Sequence, residues 1–173
     1  MTNEPIHGGQ FGVDVRSKRV GNPGWGVENR RDLRGLRGRE CHPGDGESLR
    51  IYIAGCFESR PRLVQMRDGV ENRGHVVISS WLDEPDQPGP IQLPSSEECL
   101  TYARRDYREV FESDLLLVDT LDTNDRGGRE VEVGMAFMAQ IPFWVVGPRR
   151  NVFHYLAHEH FPSWEEALDR LRV

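Results

Sequence analysis

Beyond residue 48 the chain alternates between short apolar runs and stretches in which apolar residues recur at helical spacing. Strands buried on both faces read as unbroken apolar runs, so this alternation predicts a parallel sheet covered by helices. RIYIAG is the first such run. A helix follows across PRLVQMRDGVENRG, where Leu63, Met66 and Val70 stand at i, i+3 and i+7. HVVISSW predicts the second strand. The segment LDEPDQPGPIQLPS carries four prolines, too many for a helix or a central strand, and predicts a loop beside the site or a lid. Ser95 or Ser96 then caps a helix running to about Ser113, with Glu97 and Glu98 in the first turn. LLLVDT reads as a buried third strand, VEVGMAFMAQ as a helix and IPFWVVG as a fourth strand. A last strand near HEHF and a helix capped by Ser163 through SWEEALDRLRV complete the set. Five strands and about five helices in this order imply a flavodoxin-like or Rossmann-like three-layer fold with a five-stranded parallel sheet.

Residues 1–48 break this pattern. They hold 10 of the 18 glycines, scattered arginines and no sustained apolar period, and read as a flexible N-terminal tail before a domain at 49–173. The tail's other reading is a weak nucleic-acid tether, against which its interspersed acids argue. It holds 8 basic and 7 acidic groups, so the acidic excess behind the net charge of −6 falls on the domain. An acidic domain suits a small-molecule enzyme better than a nucleic-acid reader, which presents a basic face. Three cysteines without CxxC spacing argue against a disulfide framework or a zinc knuckle, and no metal is expected. No apolar stretch is long enough for a membrane span, and the opening residues lack the apolar run of a secretory signal. The expected setting is the cytoplasm.

Ligands of open parallel sheets bind beyond the carboxyl ends of the strands. The segments there are AGCFES, SSWLDE, DTLDTNDRGGRE and GPRRN. In the third, Gly127 and Gly128 precede a helix whose first amides and dipole can hold an anion or a sugar hydroxyl; a tight turn is the alternative. Glu132 follows among apolar neighbours, either as a partly buried functional group or as a partner of the helix dipole. Asp106, three residues after Ala103 and four before Val110, shares an inward stripe with them in this reading. Its burial requires either use in the site or an arginine partner, Arg105 or Arg108 among them. Two carboxylates converging on a strand-end crevice suit nucleophilic or acid–base work on an acetal-like carbon.

Three features, IYIAG at the first strand, Asp106 before the third and GGREVEVGMA before the fourth, resemble the nucleoside 2-deoxyribosyltransferase family with its nucleotide N-glycosidase relatives. The resemblance covers nearly all of residues 50–173. Within it Asp125, Gly128, Glu132 and Gly134 fill the family's ordered pattern of an acid, a glycine turn and Glu-x-Gly on a helix. It implies that Glu132 attacks C1′ of a nucleoside or nucleoside monophosphate, expelling the base. Water or a second base then resolves the glycosyl ester, without metal or organic cofactor. It further implies that Tyr52 orients the nucleophile, that Asp106 holds the sugar or protonates the base, and that Asp125 assists the leaving base, although Tyr52 also reads as a core aromatic and Asp125 as a solvated turn residue.

Substrate contacts implied by position are Gly55, Cys56 and Phe57 after the first strand, together with Gly127, Gly128 and Arg129 before the helix. Trp81 either stacks on the base or packs beneath the proline-rich loop. The family's sites are commonly completed by a neighbouring subunit, which makes Asn151 and His154 candidates, with a surface role as the other reading of His154. Phe153 and Tyr155 would suit an isologous dimer interface. Where nucleotide-specific relatives carry small and basic residues, this chain has Cys56, Phe57 and Glu58, and Glu58 would repel a phosphate; Arg129, Arg149 and Arg150 are the cations that would compensate. Two other functional readings stand beside the enzyme: a nucleotide-sensing module without turnover, and a glycosidase acting on NAD or a related nucleotide.

Overall fold

The computed structural model describes residues 47–84, 94–123 and 127–171. Residues 1–46 of the expected tail, most of the proline-rich segment and Asp125 lie outside the described residues.

Five parallel strands form one sheet: β1 (Arg50–Ala54), β2 (Val76–Val77), β3 (Leu115–Asp119), β4 (Phe143–Val146) and β5 (Glu159–Phe161), in the order β2-β1-β3-β4-β5. Four α-helices connect or follow them: α1 (Arg60–Glu71), α2 (Ser96–Glu112), α3 (Gly128–Met138) and α4 (Trp164–Arg170). Helix α1 packs with α4 and α2 packs with α3, giving the expected three layers. Ile51–Ala54 lie beside Leu115–Val118, and Leu116–Asp119 beside Phe143–Val146. These residues are buried almost without interruption, which is why the runs show no polar alternation. The chain leaves β1 toward β2 and then returns past it to β3, so the order reverses between β1 and β3. The crevice at their carboxyl ends is the expected ligand position for such a sheet.

Local chemistry sets the element ends. Ser95 and Glu98 make a reciprocal capping box at α2, the Glu98 amide donating to Ser95 Oγ at 3.3 Å and the Ser95 amide to Glu98 Oε2 at 3.0 Å. Ser163 accepts the Glu166 amide at 3.3 Å and starts α4. Strand β2 is shorter than its apolar run predicts, because side chains complete the ladder beyond Ile78, whose amide still donates to the Ile51 carbonyl at 2.9 Å. The Ile53 amide donates to Ser79 Oγ at 3.0 Å, and the Trp81 indole donates to the Ile53 carbonyl at 2.8 Å. Between β4 and β5 the crossover is a 3-10 helix, Val152–Leu156, capped by Asn151, so the described residues hold four α-helices rather than five. No helix among them is long and apolar enough to cross a membrane.

A buried acid ties the layers together. Asp119, fully enclosed at the end of β3, accepts both guanidinium nitrogens of Arg62 from α1 at 3.0 and 2.8 Å and the Trp164 indole from α4 at 2.8 Å. Its carbonyl accepts Arg129 of α3 at 3.0 Å. The Arg62 guanidinium is held above its ordinary pKa chiefly by these hydrogen bonds.

Candidate active site

A cleft of about 220 Å³ opens beyond β1 and β3. Gly55 and Phe57 line it from the end of β1, Trp81 and Glu84 from the turn after β2, Tyr102, Arg105 and Asp106 from α2, and Gly128, Arg129 and Glu132 from α3. The fold thus brings Glu132, Asp106, Gly55, Phe57, Trp81, Gly128 and Arg129 of the sequence candidates to one wall.

Helix α3 begins sharply after Gly127, whose φ of 83° is left-handed and readily taken only by glycine. That start sets the helix phase. Val133 and Ala136 go into the core, and Glu132 turns toward the cleft, half-buried. Tyr52, wholly buried on the central strand, reaches across and donates its hydroxyl to Glu132 Oε1 at 2.8 Å. One oxygen of the carboxylate is thereby oriented. Removal from water raises the Glu132 pKa to about 8; the Tyr52 hydrogen bond lowers it, Asp106 raises it, Arg129 lowers it and Glu109 raises it. Burial, then the Glu132 charge, pushes the Tyr52 phenol far above its ordinary value, which keeps it a donor.

Asp106 enters the cleft from α2, and Arg105 donates to its Oδ1 through Nε at 3.0 Å and through a terminal nitrogen at 2.8 Å. The Asp106 pKa is raised, first by burial, with Arg105 pulling it down and Glu109 and Glu84 adding to the rise. The expected pairing with Arg105 and the position in the cleft are both present. The predicted company is not, because Ala103 is exposed. The cleft stripe instead runs Tyr102, Arg105 and Asp106, while Leu100, Tyr107 and Phe111 are exposed. Helix α2 overhangs the strand ends, and of its side chains only Val110 is fully buried in the core.

Glu84 and Tyr102 were not among the sequence candidates, and Arg105 was expected only as a partner of Asp106. Tyr102 and Glu109 were accessible in principle, since they lie four residues before and three after Asp106 on its helix. Glu84, in the turn after β2, carries no such signal. Glu109 holds Ser80 through both the amide, at 3.1 Å, and the hydroxyl.

The remaining candidates take other places. Cys56 is buried, donates to Glu58 Oε2 at 2.6 Å and is not part of the cleft wall; burial and this contact raise its thiol pKa to about 11, so it is not a ready thiolate. Trp81 lines the cleft with its indole N–H engaged and its ring 6.4 Å from that of Phe57. Gly127 serves as the α3 cap. His154 is fully enclosed: Nδ1 accepts the Arg150 amide at 3.1 Å, which leaves the proton on Nε2 facing Glu130 Oε2 at 3.0 Å. Asn151 caps the same turn and donates to Glu130 at 2.6 Å. The two thus hold the β4–β5 crossover to α3 within their own chain, and Phe153 and Tyr155 are the side chains that project outward. Among the described residues, no group of three or more His, Cys, Asp or Glu is placed to hold a metal ion.

Solved structures were compared with this arrangement. Its fold is similar to that of a 2-deoxyribosyltransferase. The enzyme from Bacillus psychrosaccharolyticus matches with a TM-score of 0.58 at 19% identity, over 72% of this chain and 96% of that one. A conserved protein from Enterococcus faecalis V583 matches at 0.50 and 19% identity, over 72% and 98%. The CMP N-glycosidase of Clostridium botulinum matches at 0.48 and 16% identity, over 70% and 97%. No family model and no curated protein matches the sequence. The resemblance seen in the motifs therefore extends to the three-layer fold.

Proposed function

We propose that this protein is a cytoplasmic enzyme that cleaves or transfers the N-glycosidic bond of a nucleoside through Glu132. The observation that carries this reading is the Tyr52–Glu132 pair, in which a buried phenol holds Oε1 of a carboxylate that lines the switch-point cleft. A poorly hydrated carboxylate is a strong nucleophile once ionised. In the first step Glu132 Oε2 forms a bond to C1′ while the C1′–N bond breaks, its electron pair leaving with the base. Asp106, with its raised pKa, supplies a proton to the base or binds a sugar hydroxyl. In the second step a water, or the nitrogen of another base, attacks C1′ and releases Glu132. Gly128, at the start of α3, borders the same cleft.

Base release measured by chromatography, with and without an acceptor base, tests the reading. We expect release that is lost in Glu132→Ala, with acceptor-dependent product marking a transferase. Turnover undiminished in that variant would refute the nucleophile.

The exposed side chains Val152, Phe153, Tyr155 and Leu156, together with Val131, Phe137 and Met138 of α3, support self-association. Sedimentation of the wild type against Phe153→Glu examines it; identical monomeric behaviour of both would refute association through this surface.

A further inference from the structure

Three arginines are available by position to neutralise a substrate phosphate, and each is already occupied. The Arg149 guanidinium lies over the Tyr155 ring at 4.9 Å. Arg150 donates to the carbonyls of Thr120 at 2.7 Å and Leu121 at 3.3 Å. Arg129 donates to the Asp119 carbonyl at 3.0 Å and pairs with Glu130 at 3.1 Å. Of the three, only Arg129 borders the cleft.

The other cation of the wall, Arg105, is held between two acids, at 2.6 Å from Glu84 and 2.8 Å from Asp106, with its guanidinium 5.1 Å from the centre of the Tyr102 ring. Two carboxylates, Glu84 and Asp106, thus share one arginine at the cleft, and the other arginine of the wall, Arg129, is paired with Glu130. A phosphate entering here would meet like charge. To gain a partner it would have to draw Arg105 away from Glu84 and Asp106, leaving both partly buried acids unpaired. An uncharged nucleoside meets no such opposition, and Phe57, Trp81 and Tyr102 offer it aromatic surface.

Building on the glycosidic reading above, we propose that the Glu84–Arg105–Asp106 bridge is an electrostatic gate that closes the cleft to phosphorylated substrates, so that the site accepts a nucleoside and rejects its 5′-monophosphate. Glu84 and Arg105 are then specificity-determining residues, acting through the charge that an entering substrate meets.

The test uses the common ribo- and 2′-deoxyribonucleosides, each paired with its 5′-monophosphate. kcat/KM is measured for the wild type and for Glu84→Gln, and the same pairs are titrated calorimetrically into Glu132→Gln, which binds without turnover. Like-charge opposition of this kind typically costs several kcal/mol, so the wild type should prefer the nucleoside by about 100-fold or more. Glu84→Gln removes one acid and releases Arg105 from one partner, and should narrow that preference by about tenfold. Equal or better use of the monophosphate by the wild type overturns the gate. So does an unchanged preference in a Glu84→Gln protein whose circular dichroism is native; if that variant is unfolded, the wild-type ratio decides alone. Should no base be released from any compound, the titration separates the two ideas. A nucleoside bound and its monophosphate refused upholds the gate while removing the catalytic reading, whereas a monophosphate bound as well as its nucleoside, or neither bound, overturns the gate.

Discussion

Replacing Glu132 by Gln should make the protein more stable above neutral pH and leave it almost unchanged in mild acid. In the folded chain the Glu132 pKa is raised from 4.5 to about 8, chiefly by burial. Between those values the folded state holds a proton that the unfolded chain has released, so stability falls as pH rises. The loss accumulates from about pH 4.5 to pH 8 and is complete above that. A displacement of this size corresponds to about 5 kcal/mol. That figure is a ceiling, because one side of the residue faces the open cleft, and about 2–4 kcal/mol is the expected effect. Gln keeps the shape of the protonated acid and an acceptor for the Tyr52 hydroxyl, but it never ionises. With urea slopes of about 1–3 kcal/mol per molar, the Glu132→Gln midpoint should exceed that of the wild type by about 1–2 M at pH 9 and match it closely at pH 5. A midpoint difference independent of pH, or a variant less stable than the wild type at pH 9, would refute the desolvated carboxylate. The same substitution should abolish base release, so stability is gained where function is lost.

Two further outcomes follow from neighbouring contacts. Tyr52→Phe removes the hydrogen bond that lowers the Glu132 pKa, so base release should fall by about 10- to 100-fold and the rising limb of its pH profile should move to more alkaline pH; a move toward acid would contradict the assigned role. Asp119→Ala strips Arg62 and the Trp164 indole of their shared acceptor in a fully buried position and should cost about 3 kcal/mol in urea unfolding, with an effect below about 0.5 kcal/mol counting against Asp119 as the link between the layers.

The architecture is legible in the local pattern because β1, β3 and β4 are buried on both faces and therefore spell themselves out as unbroken apolar runs. Capping residues Ser95 and Ser163 mark their helices for the same kind of reason: the hydrogen bonds that start a helix come from residues within a turn of each other. Asp106 and Glu132 could be nominated from their places within helices and Tyr52 through the family resemblance, and the fold brings Tyr52 onto Glu132 and Asp106 into the same cleft. What tertiary structure decided is everything that depends on neighbours distant in the chain. Ser79 and Trp81 end β2 early by bonding Ile53, 26 and 28 residues away. His154 is drawn inward by Glu130 rather than left on the surface, and α2 turns Tyr102, Arg105 and Asp106 to the cleft while Leu100, Tyr107 and Phe111 stay exposed. Arg105 is claimed by Glu84 across the cleft, a pairing that no local spacing announces. Local propensity and periodicity report which faces are apolar, whereas the charge a ligand meets in the cleft is set by which acids and arginines the folded chain brings within about 3 Å of one another.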